Sequence, residues 1–334
     1  MIKALESFKA WTFKQFYYHN IVSQDPLTLN IFTTDRCNFS CYYCSRNIPD
    51  DSTDAKYRYE DKSEFRIEDL RLLLEKYPKI KKVSFVGIGE PFLTRDLIPM
   101  AELAKRSSKR TSVITNGSLL HRFWGQIGLN FNDISVSLHG LNSDELLRIA
   151  NVKEKIFQQF IENVHYLTQI EAKEYPSLRV HASVVVLKQN LTRVREAVKF
   201  CVENGILELD LHNYLSLGPD AMENVIFDDQ KEYINFVISL QAEYKDRVKI
   251  NPPVWIKRDE KKMKWGCVSF FHYLRVDGLG RVSGCGRIMP PAEENGNFRI
   301  EEDVFQNEYF NSMRTAFRTG IGIPDCCRYC PDAQ

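Results

Sequence analysis

The sequence predicts an α/β protein built on a parallel sheet. Short β-branched runs alternate with amphipathic stretches between residues 25 and 225, and two runs, VSFVG and ASVVVL, are apolar without alternation. Strands covered by crossover helices on both faces read as continuous apolar runs. Six such repeats are present, short of the eight strands and roughly 250 residues of a closed barrel, which leaves a partial barrel or an open parallel sheet.

In chain order, the strands fall at 27–33, 82–86, 112–115, 134–138, 180–187 and 207–211. The helices fall at 67–76, 97–108, 153–170, 192–204 and 230–245, each with apolar residues three and four apart. Residues 1–24 are an N-terminal extension in which Phe8, Trp11 and Phe16 give 5–18 the apolar stripe of a packed entry helix. The core occupies 25–228, and 229–264 is a helical connector running into the basic, Pro-containing KINPPVWIKRDEKKMKW. The last unit, 265–334, contains the hairpin pattern YLRVDGLGRVSGC. It has too few apolar residues for a substantial core, so thiolates on a metal are expected to supply folding energy.

The 334 residues carry 45 Lys plus Arg against 44 Asp plus Glu, a formal charge of +1, so no overall field points to nucleic acid or an anionic membrane. No run approaches the roughly 18 apolar residues of a membrane span. The start MIKALESFKAW lacks the apolar core and cleavage site of a secretory signal. The expectation is a cytoplasmic protein without nucleic-acid or membrane partners.

In a reducing compartment, the nine cysteines call for metal or catalysis rather than disulfides. Cys37, Cys41 and Cys44 form one group, and Cys267, Cys285, Cys326, Cys327 and Cys330 another. Cys201, on the apolar stretch RVREAVKFCVENG, reads as core.

Ligands of parallel α/β folds sit at the carboxyl ends of strands. There the chain places DRCNFSCYYCSR after the first strand, GIGEP after the second, TNG after the third and SLHG after the fourth. Three closely spaced cysteines can converge on one centre, with intervening amides donating to sulfur. A structural zinc site needs a fourth protein ligand from elsewhere, whereas an iron-sulfur cluster can leave one iron open. Spacing favours the cluster and leaves zinc as the alternative. GIGEP lacks the GxGxxG spacing of a dinucleotide site.

CNFSCYYC resembles the CxxxCxxC signature of the radical S-adenosylmethionine superfamily, including Tyr43 just before the third cysteine, and GIGEP is similar to its GGEP motif with Ile88 in place of glycine. The resemblance spans about 25–225 and implies a partial (β/α)6 TIM-like barrel. It implies that Cys37, Cys41 and Cys44 bind a 4Fe-4S cluster whose fourth iron chelates S-adenosylmethionine. Glu90 would accept from the methionyl ammonium and the Tyr43 backbone would meet the adenine. Asn116, with Gly117, Ser137 and Asn190 would frame the same cosubstrate. One electron, from a reduced flavodoxin or ferredoxin-type donor, would then yield a 5'-deoxyadenosyl radical.

Cys267, Gly280 and Cys285 are separated by twelve and then four residues, and Cys327 and Cys330 follow as CxxC. The hairpin brings the first pair together and the CxxC can complete a tetrahedral shell for zinc or a cluster. The pattern resembles the CX9-15GX4C element of SPASM domains in its shortened twitch form. That implies a second, auxiliary 4Fe-4S cluster on Cys267, Cys285, Cys327 and Cys330.

A four-cysteine twitch shell is similar to that of aminocyclitol and sugar dehydrogenases. The implied substrate is a small polyol, aminocyclitol or nucleotide-linked sugar, dehydrogenated with the auxiliary cluster as electron acceptor. Alternatives are a radical epimerase with Cys326 as hydrogen donor, modification of a ribosomal peptide, and, outside enzymes, an iron-sulfur electron carrier. Residues 1–24 look too short for a complete leader-recognition domain. Cys326, Arg287 and His212 are the candidate catalytic residues, and His139, His181 and Arg275 are further candidate substrate contacts at strand ends or beside the auxiliary module.

Overall fold

The computed structural model describes residues 25–47, 63–188, 191–214, 225–258, 266–287, 290–330 and 333. The expected helix over 5–18 and the candidate Asn190 lie outside them.

Strands β1 (Thr28–Phe32), β2 (Lys82–Val86), β3 (Arg110–Thr115), β4 (Asp133–Ser137), β5 (Arg179–Val186), β6 (Glu208–Asn213) and β7 (Lys249–Asn251) each pair in parallel with the next. On the other side of β1 lies β8 (Tyr273–Val276), also parallel. The antiparallel β9 (Arg281–Ser283) and β10 (Ala292–Asn297) follow it. Among the described residues this is one ten-stranded sheet. Its core is a partial parallel α/β barrel of the six expected strands, lengthened by the three-residue β7, which is too short to show a pattern in sequence.

The strands do not bury apolar residues on both faces, as their runs suggested. Leu29, Ile31, Val83, Phe85, Ile134 and Leu209 are buried in the apolar core and do not line the lumen. The alternate positions Asn30, Ser84, Ser112, Ser135, His181 and Asp210 line a cavity inside the curl. A hollow polar lumen, rather than a second packed layer, accounts for Ser84, Ser112 and Ser135 within the runs of β2, β3 and β4.

Helices Ile67–Lys76, Leu97–Arg106, Glu154–Tyr166, Leu191–Glu203 and Lys231–Tyr244 form where the periodicity places them. The third continues as a π-helical turn, Leu167–Glu171. Among the described residues, two helices of eight residues or more were not anticipated. Ser143–Ala150 starts at Asn142, whose side chain accepts from the Glu145 N–H at 2.9 Å. Glu308–Thr319 runs from the Asn307 cap to Gly320 at φ +76°.

The expectation of a C-terminal unit without a substantial core is corrected. Phe270, Phe298, Phe305 and Phe310 are completely or almost completely buried and join the same continuous core as Leu29 and Phe65. At roughly 1.5–3 kcal/mol per buried large side chain, these residues rival a metal as a source of stability. Polar contacts reinforce the join: Arg299 grips the Asp69 carboxylate at 2.7 and 2.9 Å, and Lys76 donates to the carbonyls of Phe298 and Glu301. The phenylalanines were missed because they are spread over turns and short elements without a period. Among the described residues no helix is long and apolar enough to cross a membrane.

Candidate active site

The amino ends of the strands are closed by charge. Arg110 holds the buried Asp133 through two bonds of 3.0 Å, Arg179 bridges to Glu208, and Lys249 meets the same Glu208 at 2.9 Å. Above this floor lies a lumen of about 590 Å³, lined among others by Asn30, Phe32, His181, Asp210, His212 and Arg275. His181 Nδ1 lies 2.5 Å from Asp210, whose other oxygen accepts from Asn251 at 2.6 Å.

At the carboxyl ends of the strands a second cavity, about 290 Å³, is lined by all three N-terminal cysteines and by Tyr43, Glu90, Asn116, Ser137 and His139. The two cavities share Gly87, Ile88 and Ile114. The motif's displaced glycine position therefore puts an apolar side chain at their junction.

The cysteine loop rests on an element the sequence reading missed. Ser40 and Tyr42 N–H groups donate to the carbonyls of Ala150 and Ile149, both at 3.0 Å, so the loop satisfies the carboxyl end of helix Ser143–Ala150. Phe39 and Cys41 pack against Leu146, Ala150 and Val152 of that helix and its exit. The Asn142 cap with Glu145 three residues on was its legible signal.

Glu90 is buried. Its Oε1 accepts from the Thr115 hydroxyl at 2.7 Å and the Phe92 N–H at 3.1 Å, and its Oε2 accepts from the Asn116 N–H at 2.8 Å. A carboxylate offers about four acceptor positions, so one remains for a cationic ligand. Burial pushes Glu90 up to about 7, against the lowering effect of those three donors. Asn116 Nδ2 donates to Asn38 at 2.9 Å, tying β3 to the cysteine loop. The Tyr43 hydroxyl lies 2.7 Å from His139 Nδ1, and burial, then the Arg193 charge, lower His139 to about 4, leaving a neutral ring.

The thiols fit a cationic centre. Burial raises Cys37 and pushes Cys41 up to about 12, with Cys44 and Cys37 adding to the effect at Cys41. A multivalent cation reverses both penalties. None of the nine cysteines is disulfide-bonded. Sulfur at Cys37, Cys267 and Cys285 accepts from the main-chain N–H two residues on, at 3.4, 3.4 and 3.3 Å, the turn that presents a ligating thiolate with a donor behind it. Among the described residues no three His, Cys, Asp or Glu groups surround a point that a single metal ion would occupy.

Cys267, Cys285, Cys327 and Cys330 are all buried in the C-terminal unit. The Cys327 thiol is raised by its bond with Cys326 and by burial, then by the charges of Cys326, Cys285 and Cys330. Gly266 donates to Ala333, which donates to Cys330, so Cys267 is drawn to the same place. His212 and Arg287 line the lumen, whereas Cys326 is half-buried and lines neither cavity. Cys201 is core, as expected.

The sequence pattern of the Radical SAM superfamily matches residues 31–201. The chain is 27% identical over 227 residues to the probable GTP 3',8-cyclase of Sulfurisphaera tokodaii, a match covering 66% of each chain. It spans about two thirds or less of the curated relatives it matches first. Solved structures that share its fold include two with bound peptides. SuiB of Streptococcus suis bound to the precursor peptide SuiA has a TM-score of 0.64 at 17% identity, over 90% of this chain and 69% of that one. The structure of anSMEcpe with AdoMet and the Cp18Cys peptide has a TM-score of 0.60 at 17% identity, over 92% and 88%.

These neighbours correct the expectation of a small carbohydrate-like or nucleotide-linked partner, because they were solved with peptides. Just over half of the chain follows the superfamily's pattern, on the barrel and C-terminal extension of its SPASM- and twitch-type members. The protein belongs to the Radical SAM superfamily.

Proposed function

We propose that this protein is a radical S-adenosylmethionine enzyme that modifies a peptide. The observation that carries the reading is the meeting of two cavities at Gly87, Ile88 and Ile114, one lined by three cysteines and Glu90, the other a polar lumen with room for a substrate side chain. The peptide class rests on SuiB with SuiA and anSMEcpe with Cp18Cys, at TM-scores of 0.64 and 0.60.

In this reading Cys37, Cys41 and Cys44 hold a 4Fe-4S cluster, and Cys267, Cys285, Cys327 and Cys330 hold a second. When bound, the first cluster and S-adenosylmethionine supply a carbon-centred radical that removes a hydrogen atom from the substrate. Glu90 receives the ammonium of the cosubstrate through its remaining acceptor position, a charge-assisted bond in a dry site. Asn116 and Ser137 border the same cavity, and the Tyr43–His139 bond fixes the loop over it. Ile88 and Ile114 keep the junction apolar and limit water at the reacting end.

The test is anaerobic reconstitution followed by dithionite, S-adenosylmethionine and a peptide library. Peptide-dependent formation of 5'-deoxyadenosine with a matching change in peptide mass is expected. Cosubstrate cleavage indifferent to every peptide would overturn the peptide assignment, and absence of cleavage would overturn the radical one.

A further inference from the structure

His181 on β5 and Asp210 on β6 form a pair inside the lumen. Both line it, and Nδ1 of the histidine lies 2.5 Å from one carboxylate oxygen. Asn251, the ladder partner of Asp210 on β7, donates to the other oxygen at 2.6 Å and to Glu208 at 2.5 Å. Glu208 is itself held by Arg179 and Lys249. The Asp210 carboxylate is thus anchored to the floor on one side and turned to the imidazole on the other.

This pairing fixes where the hydrogen sits. Burial works against a charge on Asp210, but the His181 and Asn251 bonds, and then the His181 and His212 charges, hold its carboxyl down to about 2. An ionised carboxylate only accepts, so the hydrogen between the two side chains belongs to Nδ1. In the neutral ring Nε2 is then bare and accepts in turn. Among the described residues Nε2 has no partner in the chain, and the histidine side chain keeps 16% of its surface open.

Strand register brings His181 towards the reacting end. Ile114, where the two cavities meet, pairs with Ser135, and Ser135 pairs with His181. The three share one row of the sheet, so His181 is two strand spacings, roughly 10 Å, from the junction. The imidazole covers part of that distance and a substrate side chain the rest. From β1 to β3, Asn30, Ser84 and Ser112 pair in register and add a neutral polar row to the same cavity. A bare imidazole nitrogen calls for a donor, and a neutral row suits an uncharged one.

We propose that His181, positioned by Asp210 and Asn251, is the hydrogen-bond acceptor that selects a hydroxyl-bearing side chain of the peptide. This rests on the peptide reading above and adds a substrate class to it.

The experiment measures binding, not turnover, by calorimetry on the anaerobically reconstituted protein. The probes are acetyl-Gly-Gly-Xaa-Gly-Gly-amide peptides in isosteric pairs. Serine is set against α-aminobutyrate and tyrosine against para-methylphenylalanine, in which methyl replaces the hydroxyl. O-methylserine against norvaline, and O-methyltyrosine against para-ethylphenylalanine, test an oxygen that only accepts. The same residues as N-acetyl amides serve as fragments without a peptide chain.

At least one hydroxyl peptide is expected to bind about tenfold tighter than its methyl isostere, while the methyl ethers gain nothing over theirs. His181→Phe is expected to erase the hydroxyl preference. Asp210→Asn keeps the shape of the pair and reverses its polarity: Asn251 holds the new amide oxygen, the amide NH2 faces Nδ1, and Nε2 takes the hydrogen. The methyl ethers are then expected to gain over their isosteres. Equal binding of hydroxyl and methyl peptides would overturn the acceptor and leave the peptide reading standing, as would a preference that survives His181→Phe or an Asp210→Asn variant in which the ethers gain nothing. A hydroxyl preference among the fragments, lost in His181→Phe, with no gain from the peptide chain would keep the acceptor and remove the peptide reading. No binding of any probe would remove both.

Discussion

The Glu90 carboxylate accepts the Asn116 main-chain N–H at 2.8 Å, so the end of β2 and the end of β3 are locked together by the acid that faces the cysteine-lined cavity. Burial has raised this acid to about 7 from its ordinary 4.5. Between those values the native chain keeps a proton that the unfolded chain releases, so the ligand-free protein loses stability as pH rises from 4.5 to 7.

Binding of the cosubstrate's ammonium needs the carboxylate form. Its affinity is therefore expected to rise through pH 7, with Glu90 contributing about a tenfold gain between roughly pH 6 and 8. Glu90→Gln should bind more weakly and lose that contribution, so the difference between wild type and variant isolates it from titration of the ligand itself. Calorimetry of S-adenosylmethionine binding across pH is the measurement, and identical profiles for the two proteins would contradict it.

Gly89 has no room for a side chain. A Cβ there would lie 2.3 Å from the Thr34 carbonyl oxygen and 2.4 Å from that of Arg36, both main-chain atoms. Gly89→Ala is expected to cost about 1–3 kcal/mol and to lower iron incorporation, because the displaced strand is the cysteine loop. Gly125→Ala is the control. It has open space but φ +77°, and should lose about 1–2 kcal/mol with iron content unchanged. Thermal melts and iron analysis distinguish the two.

Tyr43 and His139 act as a pair across the cavity. His139→Phe and Tyr43→Phe should each weaken cosubstrate binding about fivefold, the worth of one hydrogen bond near 1 kcal/mol, without loss of iron. The double variant should be no worse than either single one. Additive losses in this double-mutant cycle would show that the bond does not position the loop.

Asp133 anchors the floor between two arginines that are each about half exposed. Asp133→Asn should cost about 1–2 kcal/mol, reduced by solvent screening of those partners, and leave cosubstrate affinity unaltered. Urea titration of stability beside calorimetric binding checks both halves.

Much of the frame was legible because long amphipathic periods and apolar runs have tertiary consequences. Strand β2 and helix Ile67–Lys76 lie where the pattern puts them. The cysteine spacing and GIGEP pointed to two loops that the structure brings to one cavity. What could not be read is what depends on long-range pairing. Strand β8 joins the far edge of β1 from more than 200 residues away, and β7 has only three residues. The polar lumen was hidden because its polar residues are scattered, one or two from each strand, so His181 and Asp210 looked unrelated until β5 and β6 paired.

Hyperfine spectroscopy of the reduced, anaerobically reconstituted protein, with S-adenosylmethionine labelled at its amino nitrogen or carboxylate oxygen, addresses the central claim most directly. Coupling between the label and a cluster lost in Cys37→Ala, Cys41→Ala or Cys44→Ala is the expected result. A fully protein-ligated centre at these thiolates, or zinc alone, with no coupling to the label would contradict the account.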